Sequence, residues 1–208
     1  MQDEYLTIAR AGVHETEVKG SRFICSLAPA ATEEEARAFV ARLRREHPAA
    51  HHTCYAYVLG ADAGVQKSDD DGEPGGTAGL PMLQMLTRRG VRCAVAVVTR
   101  YFGGTKLGAG GLIRAYGGAV GEALDEVGTV TRRRYLRATV TVGHDRAGKL
   151  EHELRTAGLT VLAVGYGSRV ALEVALPAAD LETFRTWLAD ITAGAAGLET
   201  GEETYLAG

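Results

Sequence analysis

Hydrophobic and polar positions along the first 130 residues predict an alternation of strands and helices. The segment "VRCAVAVVTRYF" (91–102) is almost continuously apolar and rich in valine, which is typical of a central strand buried on both faces. Four shorter segments predict further strands, at residues 5–10, 15–20, 21–27 and 53–59. Residues 60–78 are polar and rich in glycine, and they predict a loop.

Three helices are predicted between and after these strands. Thr32, with Glu35 three residues later, has the spacing of a capping box that begins a helix. A second helix has Pro81 in its first turn and Gly90 just after its end, the positions that these residues favour. The third helix follows "GGTKLGAGG" (103–111) and is predicted by apolar residues recurring every four positions, namely Leu112, Tyr116, Val120 and Leu124.

Residues 132–208 predict a second, smaller domain. Apolar residues alternate over 135–142, as in a half-buried strand, and the following helix is capped by Asp145 and ended by Gly158. A hairpin turning near 165–168, a second helix and a final strand over 197–206 complete the order βαββαβ, which is the ferredoxin-like unit. The second helix is predicted to share one apolar face, formed by Leu181, Phe184, Leu188 and Ile191. The predicted fold class is therefore α+β, with two domains at residues 1–131 and 132–208.

Composition narrows the functional classes. The 208 residues carry a net charge of -3, which excludes a strongly basic domain and leaves only a local basic patch for nucleic acid. The three cysteines, Cys25, Cys54 and Cys93, are odd in number and far apart, which favours a reducing compartment over a disulfide framework. The first residues show no signal-peptide pattern, and no apolar run reaches the length of a membrane span. We therefore expect a cytoplasmic protein.

The segment "SDDDGEPGGTAGLPML" (68–83) combines three aspartates and a glutamate with a Gly/Pro cluster. It does not fit an EF-hand, because placing Gly72 sixth puts Lys67 first and Ala78 twelfth. Adjacent carboxylates could still share a divalent cation outside the EF-hand pattern. The alternative is an acidic turn that places negative charge near the positive N-terminus of the helix containing Pro81.

The glycine-rich segment at 103–111 fits neither common phosphate-binding motif. Gly108 is followed by Ala109 where a Walker loop requires lysine, and "GAGGLI" ends in Ile113 where a dinucleotide fingerprint requires glycine. A glycine-rich turn at a helix start nevertheless presents N–H groups to an anion. The candidate RNA- or anion-binding residues are Arg100, Gly103, Gly104, Lys106, Gly108, Gly110, Gly111 and Arg114. Further along this helix, Gly117, Gly118 and Gly121 are predicted to allow close packing on a sheet.

Two other clusters carry residues capable of chemistry. The segment "EHPAAHHTCYAY" contains three histidines and a cysteine, which can bind zinc or form a Cys–His nucleophile. A partly buried Cys54 with surface histidines His47, His51 and His52 is the competing interpretation. The segment "TRRRYLR" (131–137) could touch phosphate, although a run of surface arginines is the simpler explanation, and the C-terminal strands lack the aromatic residues of an RNA-recognition motif.

Four segments together resemble the IMPACT family, in its bacterial YigZ type: "KGSRF", "EHPAAHHTCYAYV", "SDDDGEPGGTAGLPML" and "VVTRYFGGTKLGAGGLIRAYGGAV". The resemblance implies an N-terminal domain similar to the second domain of ribosomal protein S-five. It also implies a C-terminal domain similar to the last domain of elongation factor G. Eukaryotic members of the family regulate translation initiation, and bacterial members are thought to bind nucleic acid or the ribosome.

The resemblance also implies which residues of the acidic segment form a recognition loop. These are Ser68, Asp70, Asp71, Gly72, Glu73, Pro74, Gly76 and Thr77. We predict that this loop and the glycine-rich segment line one edge of the N-terminal domain and form a single recognition surface. Glu73 is predicted to pair with Arg100 or Arg114.

The sequence is therefore interpreted as a cytoplasmic, non-catalytic binding protein that regulates translation through RNA or ribosome contact by its glycine-rich loop. One alternative is a metal-dependent hydrolase or phosphate-handling enzyme that uses residues 69–73 with His51 or His52. Another is a purely protein-binding regulator of translation. We predict no cofactor, no resident metal, no catalytic residue and no membrane partner, and the oligomeric state is left open.

Overall fold

The computed structural model describes residues 3–207, which form two compact units. The first unit runs to Arg132 and the second from Arg133 to Ala207. The predicted domain boundary, between residues 131 and 132, lies one residue before this division. Both units combine helices with antiparallel strands, so the predicted α+β class and the two-domain organisation are confirmed.

The first unit is built on an antiparallel sheet with the strand order β2-β3-β6-β4-β5. Its strands are β2 (Gly12–Val18), β3 (Ser21–Pro29), β4 (His52–Leu59), β5 (Val65–Asp69) and β6 (Ala94–Tyr101), and β1 (Glu4–Ile8) lies outside this sheet. β6 occupies the centre, and its first seven residues are all buried. The valine-rich run is therefore the central strand that its composition predicts.

Strand β5 corrects the prediction that residues 60–78 form a loop. Residues Val65 to Asp69 pair with β4 at the edge of the sheet, although none of them is buried. An edge strand that leaves both faces partly open to solvent has no need for apolar alternation. The hydrophobic pattern therefore carries no signal for it.

Three helices cover the two faces of this sheet: α1 (Glu33–Glu46), α2 (Gly79–Arg88) and α3 (Gly108–Val127). α1 packs on one face against a cluster that includes Tyr57 and Val97, whereas α2 and α3 pack on the other face in the larger core. Thr32 is the predicted N-cap of α1, because its Oγ1 accepts a hydrogen bond from the Glu35 N–H at 3.2 Å. The Glu35 carboxylate accepts from the Ala31 N–H at 2.6 Å, whereas a complete capping box would have it accept from the Thr32 N–H.

Helix α3 begins at Gly108, four residues before the first apolar position that predicted it. The prediction that its glycines pack on a sheet is wrong. A Cβ at Gly117 would contact Pro81, and one at Gly121 would contact Met85, so both glycines face α2. A Cβ at Gly118 would meet no atom of the described residues within 4 Å. The glycines thus allow two helices to approach each other on the same side of the sheet.

The second unit has the predicted βαββαβ order: β7 (Thr129–Val142), α4 (His144–Thr156), β8 (Thr160–Tyr166), β9 (Val170–Leu176), α5 (Leu181–Thr192) and β10 (Gly197–Ala207). β7 begins in the first unit and continues into the second. β9 pairs with both β7 and β8, and its inward residues form a core with both helices.

Two details of this unit differ from prediction. Gly143 occupies the N-cap of α4, and Asp145 lies within the first turn, so Asp145 is not the cap. Ile191 is 38% exposed, because the buried face of α5 is formed by Phe184, Leu188 and Thr192.

Within the arginine-rich run, Arg134 pairs with Glu203 at 2.8 Å and Arg137 with Glu173 at 2.9 Å. These arginines therefore join neighbouring strands.

Candidate functional site

A cleft of about 480 Å³ opens where the start of β4 and the end of β6 meet the first turn of α3. The antiparallel register sets His52 opposite Arg100 across these two strands. The cleft is lined by residues of the acidic loop, the glycine-rich loop and both strands, namely His51, His52, Glu73, Pro74, Arg100, Phe102, Lys106, Leu107, Gly108, Ala109 and Leu112. The structure thus brings the two loops together around one cavity.

Glu73 lies at the centre of a buried polar network. Its Oε1 accepts hydrogen bonds from Arg100 Nη1 at 2.6 Å and from the Tyr116 hydroxyl at 2.7 Å. The predicted pairing of Glu73 with Arg100 is confirmed, and Arg114 is not the partner. Because both charged side chains are almost fully buried, removing either one would leave an uncompensated charge away from water.

Arg100 is therefore buried, whereas the sequence prediction placed it among the cations that bind RNA or an anion. The residue is 5% exposed, and its guanidinium lies between the rings of Phe23 and Phe102, at 5.4 and 5.6 Å from their centroids. Its Nη2 lies 3.4 Å from Ser21 Oγ. Its Nε has no hydrogen-bond partner among residues 3–207. The position of Arg100 on the central strand explains its burial.

The two histidines of the cleft each form a hydrogen bond to the backbone through Nδ1, His52 as the donor and His51 as the acceptor. His52 Nδ1 lies 2.8 Å from the carbonyl oxygen of Asp71, which can only accept, so this nitrogen carries a proton. His51 Nδ1 lies 3.2 Å from the Phe102 N–H, which can only donate, so this nitrogen is the acceptor. In its neutral form, His52 therefore leaves Nε2 as an acceptor, 3.9 Å from Glu73 Oε2.

The aspartate side chains of the acidic loop accept hydrogen bonds from backbone N–H groups of the loop and its neighbours. Asp70 accepts hydrogen bonds from the N–H groups of Gly76, Ala78 and Gly79, at 2.7, 3.0 and 2.8 Å. Burial acts to raise the pKa of Asp70, but these three N–H groups outweigh it and the pKa is lowered. Ala78 is the N-cap of α2 and Gly79 is its first residue, so Asp70 caps that helix from outside it.

Asp71 and Asp69 are used in the same way. Asp71 accepts a hydrogen bond from the Thr53 N–H at 2.6 Å and pairs with Arg44 at 2.7 Å, while Asp69 accepts from the Asp71 N–H at 2.8 Å. Within residues 3–207, no three His, Cys, Asp or Glu side chains form a group that could hold a metal ion. The metal-dependent alternative therefore has no support in the arrangement of these carboxylates.

The remaining residues of the predicted recognition loop shape its backbone. Ser68 lies on the edge strand β5 and pairs with Ala56 of β4. The Thr77 hydroxyl donates to the Pro74 carbonyl oxygen at 2.6 Å. Gly72 and Gly76 have φ angles of 84° and 76°, which glycine adopts without strain. Within this loop, only Glu73 and Pro74 line the cleft.

The glycine-rich loop divides into a packed residue and an open turn. A Cβ at Gly103 would overlap the backbone of Gly20, and the Gly103 N–H donates to Ser21 Oγ at 3.1 Å. Gly103 therefore serves the packing of the loop, contrary to the prediction that it binds an anion. Gly104, Lys106, Gly108 and Gly110 are exposed, and Gly111 is half-buried.

The start of α3 keeps its donors available. Leu107 occupies the N-cap, and a leucine side chain cannot accept a hydrogen bond from the first-turn N–H groups. Arg114 is exposed, and its Nη1 lies 3.6 Å from the place where a Cβ at Gly110 would be. Lys106 and Arg114 form no ion pair within the described part of the chain. Two free cations thus flank an uncapped helix N-terminus.

Cys54 is more buried than predicted. It is fully buried, and its Sγ lies 3.0 Å from the Asp70 carbonyl oxygen and 3.5 Å from the Tyr116 hydroxyl. Burial raises the pKa of the Cys54 thiol to about 12, so the thiolate required of a nucleophile is strongly disfavoured. His47, the third histidine of this segment, contacts the Tyr101 hydroxyl at 2.9 Å.

Comparison with protein families covers both units. The model of the Impact N-terminal domain matches residues 19–124, and the model of a domain of unknown function (DUF1949) matches residues 140–195. The chain belongs to the IMPACT family. IMPACT family member YvyE of Bacillus subtilis is 42% identical over 206 residues, which is 99% of this chain and 95% of the relative.

Further relatives extend the comparison. IMPACT family member YigZ of Escherichia coli is 42% identical over 90% of this chain and 93% of its own length. The protein IMPACT homolog of Saccharomyces cerevisiae is 36% identical over 95 residues, which is 43% of this chain and 36% of the relative. A crystal structure of a hypothetical protein matches with a TM-score of 0.68 and 40% identity, covering 97% of this chain and 99% of that chain.

Ser21 and Phe102 were not among the predicted residues of the site. Ser21 holds the Gly103 N–H and contacts Arg100, and Phe102 covers the Arg100 guanidinium. Ser21 lies within the "KGSRF" motif, so the family resemblance contained a signal for it. Phe102 is 41% exposed at the end of an apolar run, and the pattern alone assigns it to the buried strand.

None of the helices in residues 3–207 has the length and apolar character needed to span a membrane.

Proposed function

We propose that this IMPACT family member regulates translation by binding RNA, and that the start of α3 contacts the RNA phosphates. The observation that carries the proposal is the uncapped N-terminus of α3, flanked by Lys106 and Arg114. A helix N-terminus carries partial positive charge and free N–H donors, which together favour a phosphate group. The role in translation is supported by family membership, which includes the yeast IMPACT homolog.

The surroundings of this helix suit an RNA strand better than a rigid duplex. Phe102 exposes 41% of its surface next to the phosphate donors, and His51 packs edge-on against its ring at 6.3 Å. Bases of single-stranded RNA stack on such exposed aromatic rings, while the backbone follows the positive charge. A net charge of -3 for the whole chain means that binding depends on this local patch.

The proposal is tested by co-sedimentation of the protein with ribosomes and by filter binding of single-stranded RNA across a salt series. We compare the wild type with the double variant Lys106→Glu/Arg114→Glu. We expect RNA binding by the wild type to weaken as salt rises. The variant should bind with lower affinity and with a shallower dependence on salt, because it neutralises fewer phosphates and therefore releases fewer counterions on binding.

The matched control is the double variant Lys67→Glu/Arg88→Glu. It makes the same change in net charge at two exposed residues of the first unit that do not line the cleft. The control should bind RNA like the wild type. Equal loss in both double variants would show a general charge effect and would count against the α3 site. Partner binding that resists both salt and ribonuclease would instead favour the purely protein-binding regulator.

A further inference from the structure

The cleft carries more positive charge than its own carboxylate balances. Arg100 and Lys106 contribute two cations against the single carboxylate of Glu73, and the N-terminus of α3 adds partial positive charge at the same opening. Glu73 Oε1 accepts from Arg100 and Tyr116, and Lys106 and the start of α3 have no counter-ion among residues 3–207. The mouth of the cleft therefore suits an anionic group of a ligand.

A second, independent observation also indicates a ligand. Glu73 lines the cleft with only 4% of its side chain exposed, and its Oε2 accepts no hydrogen bond from the described residues. A buried acceptor without a donor costs free energy, and buried polar groups in native proteins are almost always satisfied. An O–H group of a ligand in the cleft would supply the donor that residues 3–207 lack.

The floor of the cleft presents two acceptors side by side. In neutral His52, Nε2 is an acceptor because Nδ1 donates to the Asp71 carbonyl. Glu73 Oε2, 3.9 Å away, accepts no hydrogen bond from the described residues. Two acceptors at this separation fit a pair of neighbouring O–H groups, each donating one hydrogen bond of ordinary length.

The remaining walls and the volume suit a nucleotide. Phe102, Leu107 and Leu112 provide an apolar side against which a base can lie. The volume of about 480 Å³ falls within the range of roughly 300–1,000 Å³ that is typical of small-molecule sites. A phosphate site, a pair of acceptors and an apolar wall thus surround one cavity.

We propose that the cleft binds the 3′-terminal ribonucleotide of an RNA strand. Its phosphate lies at Lys106 and the start of α3, and its 2′ and 3′ hydroxyls donate to Glu73 Oε2 and His52 Nε2. Within an RNA strand, only the 3′-terminal ribonucleotide carries both hydroxyls free together with a phosphate on the same sugar. The proposal rests on the proposed function, since it names the part of the RNA that this site takes.

The test begins with titration calorimetry of three probes against the full-length protein: adenosine 5′-monophosphate, its 2′,3′-dideoxy analogue and inorganic phosphate. The ribonucleotide should bind at least about tenfold more tightly than the dideoxy analogue, because two hydrogen bonds to the site are lost. Equal affinities of the two nucleotides, or no binding of either, would overturn the proposal.

Variants of His52 locate the effect. His52→Ala removes one of the two acceptors and should reduce the tenfold preference for the ribonucleotide to about threefold, whereas His52→Gln, which keeps an acceptor, should restore part of the preference. Thermal unfolding of each variant checks that the fold is retained. A preference that persists unchanged in His52→Ala would overturn the assignment of the acceptor pair.

A final comparison separates this inference from the proposed function. One RNA oligomer is prepared with a free 3′-terminal ribonucleotide and another with a 2′,3′-dideoxy end. Tighter binding of the first oligomer supports both proposals. Equal, salt-sensitive binding that is lost in Lys106→Glu/Arg114→Glu leaves the proposed function standing and overturns the terminal-nucleotide inference. Binding of the mononucleotide without binding of either oligomer overturns both.

Discussion

The acidic loop at residues 68–79 and the glycine-rich loop at residues 103–111 border the same cleft but handle their polar groups in opposite ways. In the acidic loop, the carboxylates of Asp69, Asp70 and Asp71 accept hydrogen bonds from backbone N–H groups of the first unit. In the glycine-rich loop, the N–H groups that begin α3 have no capping side chain, and Lys106 has no counter-ion within residues 3–207.

The difference shows that charge density alone is a poor guide to a binding site. Three consecutive aspartates look like metal ligands in the sequence, yet their oxygens hold the loop in shape and cap α2. The glycine-rich loop matches no phosphate-binding motif, yet it leaves donors and cations open. Groups that the fold leaves unsatisfied identify the site better than groups that are merely charged.

The largest expected effect is on the acidic loop. Asp70→Ala removes the acceptor for three backbone N–H groups, two of them at the start of α2, and should lower the free energy of unfolding by about 3 kcal/mol. Urea denaturation measures the loss. Asp62→Ala, which removes a single hydrogen bond in an exposed turn, is the control and should cost less than about 1 kcal/mol. Equal losses would show that Asp70 has no special role.

A smaller effect is expected within the glycine-rich loop. Gly103→Ala places a Cβ on the backbone of Gly20 and should destabilise the protein by about 2 kcal/mol through overpacking. Gly110→Ala meets only the end of Arg114 and lies in a helix, so it should be neutral or slightly stabilising. Thermal unfolding of both variants separates the packed glycine from the open turn, and similar melting temperatures would contradict that division.

Acid should weaken the acidic loop selectively. The folded-state pKa of Asp70 is lowered below its ordinary value, so its contribution to stability is present above that value and is lost as pH falls through the folded pKa. The free-energy difference between wild type and Asp70→Asn should therefore shrink between about pH 5 and about pH 2. Urea denaturation at several pH values measures it, and a difference that stays constant would contradict the shift.

The smallest effect on stability is expected for the cations of the glycine-rich loop. Lys106→Ala and Arg114→Ala remove exposed side chains without ion pairs in the described chain, so each should change the free energy of unfolding by less than about 0.5 kcal/mol. Their RNA affinity should nevertheless fall. A large loss of stability with no loss of binding would reverse the comparison between the two loops.

The sequence by itself determined most of the secondary structure. β6 follows from its apolar run, α1 from its N-cap, and the βαββαβ unit from the alternation of its periods. These features depend on contacts between near neighbours in the chain, or on burial that repeats with the period of the element. Strand β5 was missed because an exposed edge strand needs no apolar alternation.

Only the tertiary structure decided the roles of the polar residues around the cleft. Arg100 changes from a surface cation to a buried partner of Glu73, and Gly103 from an anion ligand to a packing residue, because each contacts a segment distant in the chain. Asp70 caps a helix that begins nine residues after it. Such pairings depend on the register of β4, β5 and β6, which brings separate segments to one edge of the sheet, and no local pattern encodes them.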